Sequence, residues 1–234
     1  MRRKQIQLGA IFACVVVFLI VVFVRTFSSS TERIPPGTPE VVVVTIIDED
    51  HMSADYIKRI KDNRRYYAEK HGWCLCGKRT ITSDSATGYA NFFPNAKDYD
   101  VGSSPKSWSL ITGIRHAMTV YPHSTWFFVL SPHALIMNPS LSLNSHITDK
   151  SRLESLMLKD KPVVPPDSVI KTFSHLKGDR IDLILTQDKE GLCQGSFLIR
   201  RGAWAQFFLD TWFDPLYKSY NFQKAEGHAL VRIR

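Results

Sequence analysis

The chain has 234 residues, of which 44% are hydrophobic, and this supports one substantial domain plus a short anchor rather than several domains. Its formal net charge is +8, because 30 basic residues face 22 acidic ones. The basic residues are scattered among the acids without an aromatic–basic stripe, so we do not expect a nucleic-acid-binding protein.

The chain begins with an apolar stretch flanked by basic residues. Three basic residues at positions 2–4 precede an uncharged run over residues 5–24, which Arg25 closes. A run of about 20 residues is enough to cross a hydrocarbon core of ~30 Å. A cleaved signal peptide is the alternative, although it normally has a shorter apolar core and a small-residue cleavage site. The excess of positive charge before the run predicts a cytosolic tail and signal anchor over residues 1–25, with the domain in the lumen.

A stem and then the domain follow this anchor. Residues 26–40 are rich in Ser and Pro, which is typical of segments that do not pack. Residues 41–47 are β-branched and almost wholly apolar, as in a parallel strand covered on both faces. We therefore expect a type II membrane protein with one domain over residues 41–234.

Strands and helices alternate through this domain. The predicted elements are a strand at 41–47, a helix at 54–70 capped by Ser53, a strand at 73–77, a polar irregular segment at 78–105, a helix capped by Ser107 and ended by Pro122, a strand at 126–130, a partly helical connection at 149–179, strands at 183–186 and 196–199, and a helix at 203–212. This alternation predicts a parallel α/β sheet, whose ligands bind at the carboxyl ends of its strands. Asp48-Glu49-Asp50 and Ser131-Pro132-His133 fall at two such ends.

The second of these ends carries the most informative pattern. A buried strand at 126–130 is followed by a short polar interruption and by a second apolar run that ends at Asn138. In nucleotide-sugar glycosyltransferases this interruption usually holds two aspartates, which bind a divalent cation at the donor diphosphate. The segment resembles that of glycosyltransferase family 34, the fungal Golgi α-mannosyl- and α-galactosyltransferases, where it commonly reads Leu-Asp-Ala-Asp-Ala-Leu-Ile-Met-Asn. Here Ser131 and His133 replace the aspartates.

Other fragments resemble the same family in the same order. They are Val43–Asp48, Asn63–Trp73, Ser107–Trp108, Arg115–Met118, Ile184–Asp188, Gly191–Phe197 and Asp210–Trp212. The resemblance implies the nucleotide-diphospho-sugar transferase (GT-A-like) fold and a Golgi membrane location. It also implies transfer of a hexose from GDP-mannose or UDP-galactose to mannan or N-glycan outer chains. Family members continue for tens of residues past the position of Arg234, so we expect the domain to be shortened or truncated at its C-terminus.

The resemblance implies a donor site at the ends of the strands. Asp48 follows the first strand, where this fold receives the nucleoside, and Lys106 and Ser107 could reach a donor phosphate. A solvated acidic turn would explain Asp48 equally well. Helix capping and core packing would explain the other two residues.

Two further segments imply acceptor-side residues. Gly191–Phe197 resembles the family's Gly-Leu-Asn-Ala-Gly-Ser-Phe, and we assign Gln194, Gly195 and Ser196 to acceptor binding. Cys193 replaces the Asn of that pattern, and the amide of Gln194 could compensate for the loss. Gly195 predicts a close backbone approach or a turn with positive φ.

The last segment is Glu226-Gly227-His228-Ala229-Leu230, which resembles the family's Glu-Gln-Asp-Ala-Leu. The acidic residue of that pattern lies by the acceptor. Glu226 is kept, Gly227 replaces the Gln and His228 replaces the Asp. Glu226 and His228 are therefore the candidate catalytic residues.

The family implies Mn²⁺ as cofactor, and Ser131 and His133 occupy the ligand positions. Imidazole is a fair ligand for this ion, whereas a neutral hydroxyl is a weak one, and two negative charges have been lost. Three alternatives remain open: a metal site kept through His133, a loop that shapes the site without an ion, and a metal-independent transferase. The function is accordingly an active hexosyltransferase, a non-catalytic subunit of a Golgi mannan-polymerase-like complex with paralogous subunits, or a lumenal glycan-binding protein.

Overall fold

The computed structural model describes residues 34–72, 88–163, 171–187, 192–219 and 225–232, together with Val16, Phe18 and Val169. The chain divides into two units, residues 1–34 and 35–234, and Val16 and Phe18 in the first are helical. Among the described residues, no helix has the length and apolar character that crossing a bilayer requires. Apart from Val16 and Phe18, the predicted anchor at 5–24 lies outside the described residues, as does the predicted strand at 73–77.

Among the described residues of the second unit, five strands form one mixed sheet. They are β1 (Val41–Val44), β2 (Tyr89–Phe92), β3 (Trp126–Leu130), β4 (Leu183–Gln187) and β5 (Leu192–Arg200), in the order β2-β1-β3-β5-β4. β1 pairs in parallel with β2 and β3, whereas β5 is antiparallel to both β3 and β4. The predicted parallel arrangement is confirmed for β1 and β3, the unpredicted strand β2 is also parallel to β1, and the arrangement is wrong for β5. Only residues 188–191 connect β4 to β5, and a connection so short joins antiparallel strands.

Helices and short turns complete the described chain. The helices are α1 (Ala54–Lys70), α2 (Ser109–Val120), α3 (Lys150–Leu156), α4 (Ala203–Trp212), α5 (Pro215–Lys218) and α6 (Ala225–Arg232), with 3₁₀ turns at Ala96–Asp98, Lys106–Trp108 and Gly178–Arg180 and a π turn at Asn144–Thr148. The predictions of α1 and α4 are confirmed. Ser53 caps α1 as expected, since its Oγ accepts the Tyr56 N–H at 3.3 Å.

Two local predictions are wrong. Ser107 does not cap α2, because it lies inside the preceding 3₁₀ turn and no side chain caps the helix, which begins at Ser109. The segment at 78–105 is not wholly irregular, since it contains β2. That strand was hidden because its sequence, Tyr-Ala-Asn-Phe, is too short and polar to stand out from its surroundings.

The core lies on both faces of the sheet. All four valines of β1 are fully buried, as expected of a strand between two parallel neighbours. On one face they pack in a cluster that includes Ile111 and Ile114 of α2, and on the other in a cluster that includes Tyr67 of α1. Burial of each such aliphatic side chain contributes about 1.5–3 kcal/mol, which fixes α1 and α2 on opposite sides of β1.

This packing brings three chain segments to one edge of the sheet. β1 and β3 are parallel neighbours, so the segments after them, beginning at Asp48 and Ser131, leave from the same edge. β5 enters the sheet at that edge, since Ser196 pairs with Leu130. Ala225 and Ala229 pack in the core beside Phe197, and this places α6 next to the start of β5.

Candidate active site

The loop after β3 turns sharply and hydrogen-bonds to itself. The Ser131 N–H donates to the Gly195 carbonyl at 2.8 Å, and the Ala134 N–H donates to the Ser131 carbonyl at 3.0 Å. The Ser131 Oγ accepts the N–H of His133 at 3.2 Å. The hydroxyl at the first predicted metal position therefore stabilises the turn of its own loop.

Arg64 of α1 supports this loop through hydrogen bonds to its backbone. Its side chain is fully buried, and its NH2 group donates to the carbonyls of Ser131, at 3.0 Å, and Ala134, at 2.5 Å. Its NH1 group donates to the Asn63 side-chain oxygen at 2.9 Å. Burial lowers the pKa of Arg64 to about 10, which leaves the guanidinium charged at neutral pH. A buried positive charge is thus stabilised by carbonyl and amide oxygens of the loop and its support.

Two more side chains of α1 complete the support. The Asn63 amide donates to the Ile136 carbonyl and accepts the Ile136 N–H, both at 3.0 Å, as a neighbouring strand would do. The Tyr56 hydroxyl donates to the Pro132 carbonyl at 3.1 Å and lies 3.3 Å from His133 Nδ1. α1 therefore fixes the backbone of the loop, whatever side chains the loop carries.

The side chains at this loop do not fit a hard divalent cation. Ser131 offers a neutral hydroxyl, and His133 offers an exposed imidazole that already contacts Tyr56. Within the described ranges, no three His, Cys, Asp or Glu side chains come together as metal ligands would. Mn²⁺ sites in proteins rely on anionic oxygen ligands, and neither residue supplies one.

A second cluster is built around Glu226, which is 5% exposed. Its Oε2 accepts the Ser107 hydroxyl at 2.7 Å, and its Oε1 accepts the Gln194 side-chain N–H at 3.2 Å. The Trp212 indole N–H donates to its carbonyl at 2.8 Å and ties α6 to α4. A buried carboxylate is costly unless it is hydrogen-bonded, and here both oxygens accept from neutral donors.

The acidic turn after β1 carries ion pairs. Asp48 Oδ2 lies 2.7 Å from His51 Nδ1. Asp50 pairs with Lys97 at 2.7 Å and with Lys106 at 3.4 Å. The hydrogen bond from Lys97 holds the pKa of Asp50 below its usual range, and Asp50 in turn raises the pKa of Lys97. Lys106, a predicted donor-phosphate ligand, is thus engaged by a carboxylate.

The structure brings most of the predicted site residues into one series of contacts. Lys106 reaches Asp50, the adjacent Ser107 reaches Glu226, and Glu226 reaches Gln194. Next to Gln194, Gly195 bonds to Ser131 of the metal-position loop.

The structure also places His228 and Ser196, and it contradicts one of the two alternatives predicted for Gly195. His228 is exposed on α6. Ser196 is half-buried in the ladder opposite Leu130. The positive φ predicted at Gly195 is wrong, because Gly195 lies in a strand, and a Cβ there would meet Ser131 Cβ at an ordinary contact distance of 3.7 Å.

Arg64 and Tyr56 are functional supports that the sequence did not assign. Arg64 occupies the buried face of α1, between Ile60 and Tyr67 at helical spacing. A charged residue inside an apolar stripe is a usable signal, since it must find buried polar partners. Tyr56 is exposed, and its hydroxyl bonds to a residue 76 positions away in the chain, so nothing in the sequence around Tyr56 predicts this contact.

Comparisons with known proteins agree with one another. The sequence model of the galactosyl transferase GMA12/MNN10 family matches residues 37–233. Two uncharacterized alpha-1,2-galactosyltransferases of Schizosaccharomyces pombe are 29% and 33% identical over 87% and 76% of this chain. A probable alpha-1,6-mannosyltransferase, MNN10 of Saccharomyces cerevisiae, is 30% identical over 66% of it. The chain covers 60%, 45% and 36% of the lengths of these three relatives.

One solved structure is also similar. It is a glycosyltransferase involved in the glycosylation of the major capsid of PBCV-1, with 11% sequence identity and a TM-score of 0.47. The match covers 82% of this chain and 76% of that one.

Proposed function

The chain belongs to the galactosyl transferase GMA12/MNN10 family, and we propose that it is a glycosyltransferase that moves a hexose from a nucleotide sugar to a glycan. The donor is GDP-mannose or UDP-galactose, in line with the names of the mannosyl- and galactosyltransferase relatives. The acceptor is mannan or the outer chain of an N-glycan.

The observation that carries this proposal is the Glu226 cluster. Its carboxylate is buried, accepts from Ser107 and Gln194, and lies beside the edge where β1 and β3 end. Ligands of α/β sheets bind at that edge. A carboxylate held there by neutral donors keeps its capacity to accept a hydrogen bond from a sugar hydroxyl and to orient it toward the donor.

No step of this proposal passes through a metal ion, since Ser131 and His133 do not fit one. The loop retains a different role. Its backbone is fixed by α1 and packs against β5, so it forms one wall of the site beside Gly195. Lys97 and Lys106 are cations at the same edge, although both are paired with Asp50.

Transfer activity tests the proposal directly. The full-length chain, purified in detergent, is incubated with GDP-mannose or UDP-galactose and mannan oligosaccharides, with and without Mn²⁺. We expect a glycosylated product that does not require Mn²⁺ and that Glu226→Gln abolishes. Asp210→Asn is the matched control, since Asp210 is an exposed carboxylate that pairs with Arg115 at 3.0 Å. Absence of product from both donors would refute independent activity.

A second candidate is a non-catalytic subunit of a Golgi mannan-polymerase-like complex. It is favoured by the absence of carboxylates at positions 131 and 133, because the backbone of this loop is still held in place although its predicted metal ligands are missing. The fold would then serve as a docking surface for paralogous glycosyltransferase subunits. Co-purification with such subunits, together with no transfer by the chain alone, would select this candidate over the first.

We further propose that the protein is anchored in the Golgi membrane as a single-pass type II protein. The support is the uncharged run at 5–24 with its greater positive charge on the N-terminal side. Protease added to sealed Golgi vesicles should spare the domain after residue 40. Digestion of that domain without detergent would contradict the topology.

A further inference from the structure

We infer that Gln194 positions the Glu226 carboxylate through its amide nitrogen. We further infer that the amide oxygen of Gln194, Oε1, accepts a hydrogen bond from a hydroxyl of the bound sugar. This inference rests on the proposed function and assigns one hydrogen bond of the substrate to one atom of this chain. Gln194 lies near the start of β5, at the edge of the sheet where the site is built.

The orientation of the Gln194 amide follows from its partner. An ionised carboxylate only accepts hydrogen bonds, so the group 3.2 Å from Glu226 Oε1 is the amide nitrogen, which donates. The opposite end of the amide is then the carbonyl oxygen. This oxygen is buried and has no hydrogen-bond partner among the described residues. Buried acceptors without a partner are rare in native proteins and point to a bound water or ligand.

The Gln194 amide lies close to the backbone of α6 at Gly227. A Cβ added at Gly227 would lie 2.9 Å from Gln194 Nε2 and 3.1 Å from both Cδ and Oε1. A contact of 2.9 Å is closer than a real Cβ allows, so a side chain at 227 would require the Gln194 amide to shift from its observed position. Gln194 and Gly227 are therefore complementary in size across two elements.

A sugar hydroxyl matches the open acceptor. Oε1 needs an O–H or N–H donor, and a hexose, the group transferred under the proposed function, carries several O–H donors. A buried water is the competing occupant, since it too would donate to Oε1. The two differ in one respect: a sugar hydroxyl can be removed from the ligand by synthesis.

Deoxy sugars provide the test. Binding of GDP-mannose, UDP-galactose, methyl α-mannoside, methyl α-galactoside and the monodeoxy derivatives of the two glycosides to the full-length chain is measured by calorimetry for wild type, Gln194→Ala and Gln187→Ala. Gln187 is an exposed glutamine of β4 and serves as the matched control. We expect Gln194→Ala to weaken binding about tenfold and Gln187→Ala to leave it unchanged. For the wild type, one deoxy derivative should bind about tenfold more weakly than the glycoside from which it is made. For Gln194→Ala, that derivative and its parent glycoside should bind equally well.

The outcomes separate this inference from the proposed function. If the wild type binds GDP-mannose or UDP-galactose but every deoxy derivative loses equally in both proteins, water occupies Oε1 and the inference is wrong while the function stands. If no nucleotide sugar and no glycoside binds, the proposed function fails, and the assignment of a sugar hydroxyl fails with it.

The positioning role has its own test at Gly227. Alanine is favoured over glycine inside a helix, so Gly227→Ala should stabilise α6 if nothing opposes it. We expect the reverse: a lower melting temperature, a lower kcat with KM little changed, and an altered pH profile of kcat. The exchange Gln194→Ala with Gly227→Gln should recover part of each loss. A more stable Gly227→Ala protein with unchanged kinetics would refute the role of Gln194 in positioning Glu226.

Discussion

The loop after β3 and the Glu226 cluster meet at the same edge of the sheet, yet different kinds of hydrogen bond hold them in place. The loop is held through its backbone, since Arg64 and Asn63 bond to carbonyl and N–H groups at residues 131–136. The Glu226 cluster is held through side chains, because Ser107 and Gln194 bond to the carboxylate itself.

This difference explains how the two regions respond to substitution. Backbone contacts do not depend on which side chains the loop carries, so Ser131 and His133 can replace carboxylates without loss of the loop's shape. The Glu226 cluster has no such freedom. Removal of the carboxylate leaves the half-buried Gln194 amide without its acceptor, whereas the exposed Ser107 hydroxyl can turn to water, and the loss costs free energy as well as function. The loop can therefore lose its carboxylates while the Glu226 cluster keeps its carboxylate and its hydrogen bonds.

The largest expected effect is at the support of the loop. Arg64→Ala removes a fully buried side chain, leaves the Ala134 carbonyl without its donor, and leaves the Ser131 carbonyl with only the Ala134 N–H. We expect the free energy of unfolding to fall by about 3 kcal/mol. Thermal or urea unfolding of the full-length protein measures it.

The neighbouring Arg65 is the control for this prediction. It is about half exposed and lies 3.7 Å from Asp62, so Arg65→Ala should change stability by no more than about 0.5 kcal/mol. Equal losses in the two variants would show that the loop does not depend on Arg64 and that its backbone contacts to α1 do not stabilise it.

The second effect is at the carboxylate. Glu226→Ala removes a buried side chain and leaves the half-buried Gln194 amide without its acceptor, while the exposed Ser107 hydroxyl can bond to water, and we expect a loss of about 2 kcal/mol. Glu226→Gln should lose less stability, because its amide oxygen still accepts. Glu69→Ala, at an exposed position on α1, is the control and should be close to neutral. A Glu226→Ala protein as stable as the control would mean that the cluster is not a structural unit.

The third prediction restores charge to the loop. Ser131→Asp combined with His133→Asp should increase Mn²⁺ affinity on the order of tenfold, because α1 already holds the loop backbone and a hard cation needs anionic oxygens. Calorimetry with Mn²⁺ on both proteins measures the change. Ser145→Asp with His146→Asp adds the same charges at two exposed positions and serves as the control. A gain no greater than in the control would show that the site needs ligands beyond these two. Strong Mn²⁺ binding by the unmodified chain would make His133 a working ligand.

The sequence predicted the parts of this molecule that depend on local pattern. Apolar runs located β1 and β3, and helical spacing with Ser53 located α1. The direction of β5 depends on a pairing between distant segments, which the alternation of elements did not reveal. At the site, the resemblance selected Ser107 for donor binding and Glu226 for catalysis, and these roles stay predictions. Their direct contact was not predicted, since 119 positions separate them in the chain.

The smallest expected effect is at the acidic turn, where Asp50 joins Lys97 and Lys106. The hydrogen bond from Lys97 lowers the pKa of Asp50, so this group stabilises the fold above its unfolded pKa near 3.8 and ceases to do so as pH falls through its folded pKa. Asp50→Asn should therefore lower the melting temperature slightly at neutral pH, and the difference should shrink at high salt and disappear in strong acid. Transfer activity at neutral pH should change little, because the turn that carries Lys106 and Ser107 is anchored by the buried side chain of Trp108 and not by the exposed ion pair. A large loss of activity in Asp50→Asn would show instead that the acidic turn positions Ser107 against Glu226, and the cluster would then depend on surface charge as much as on its own hydrogen bonds.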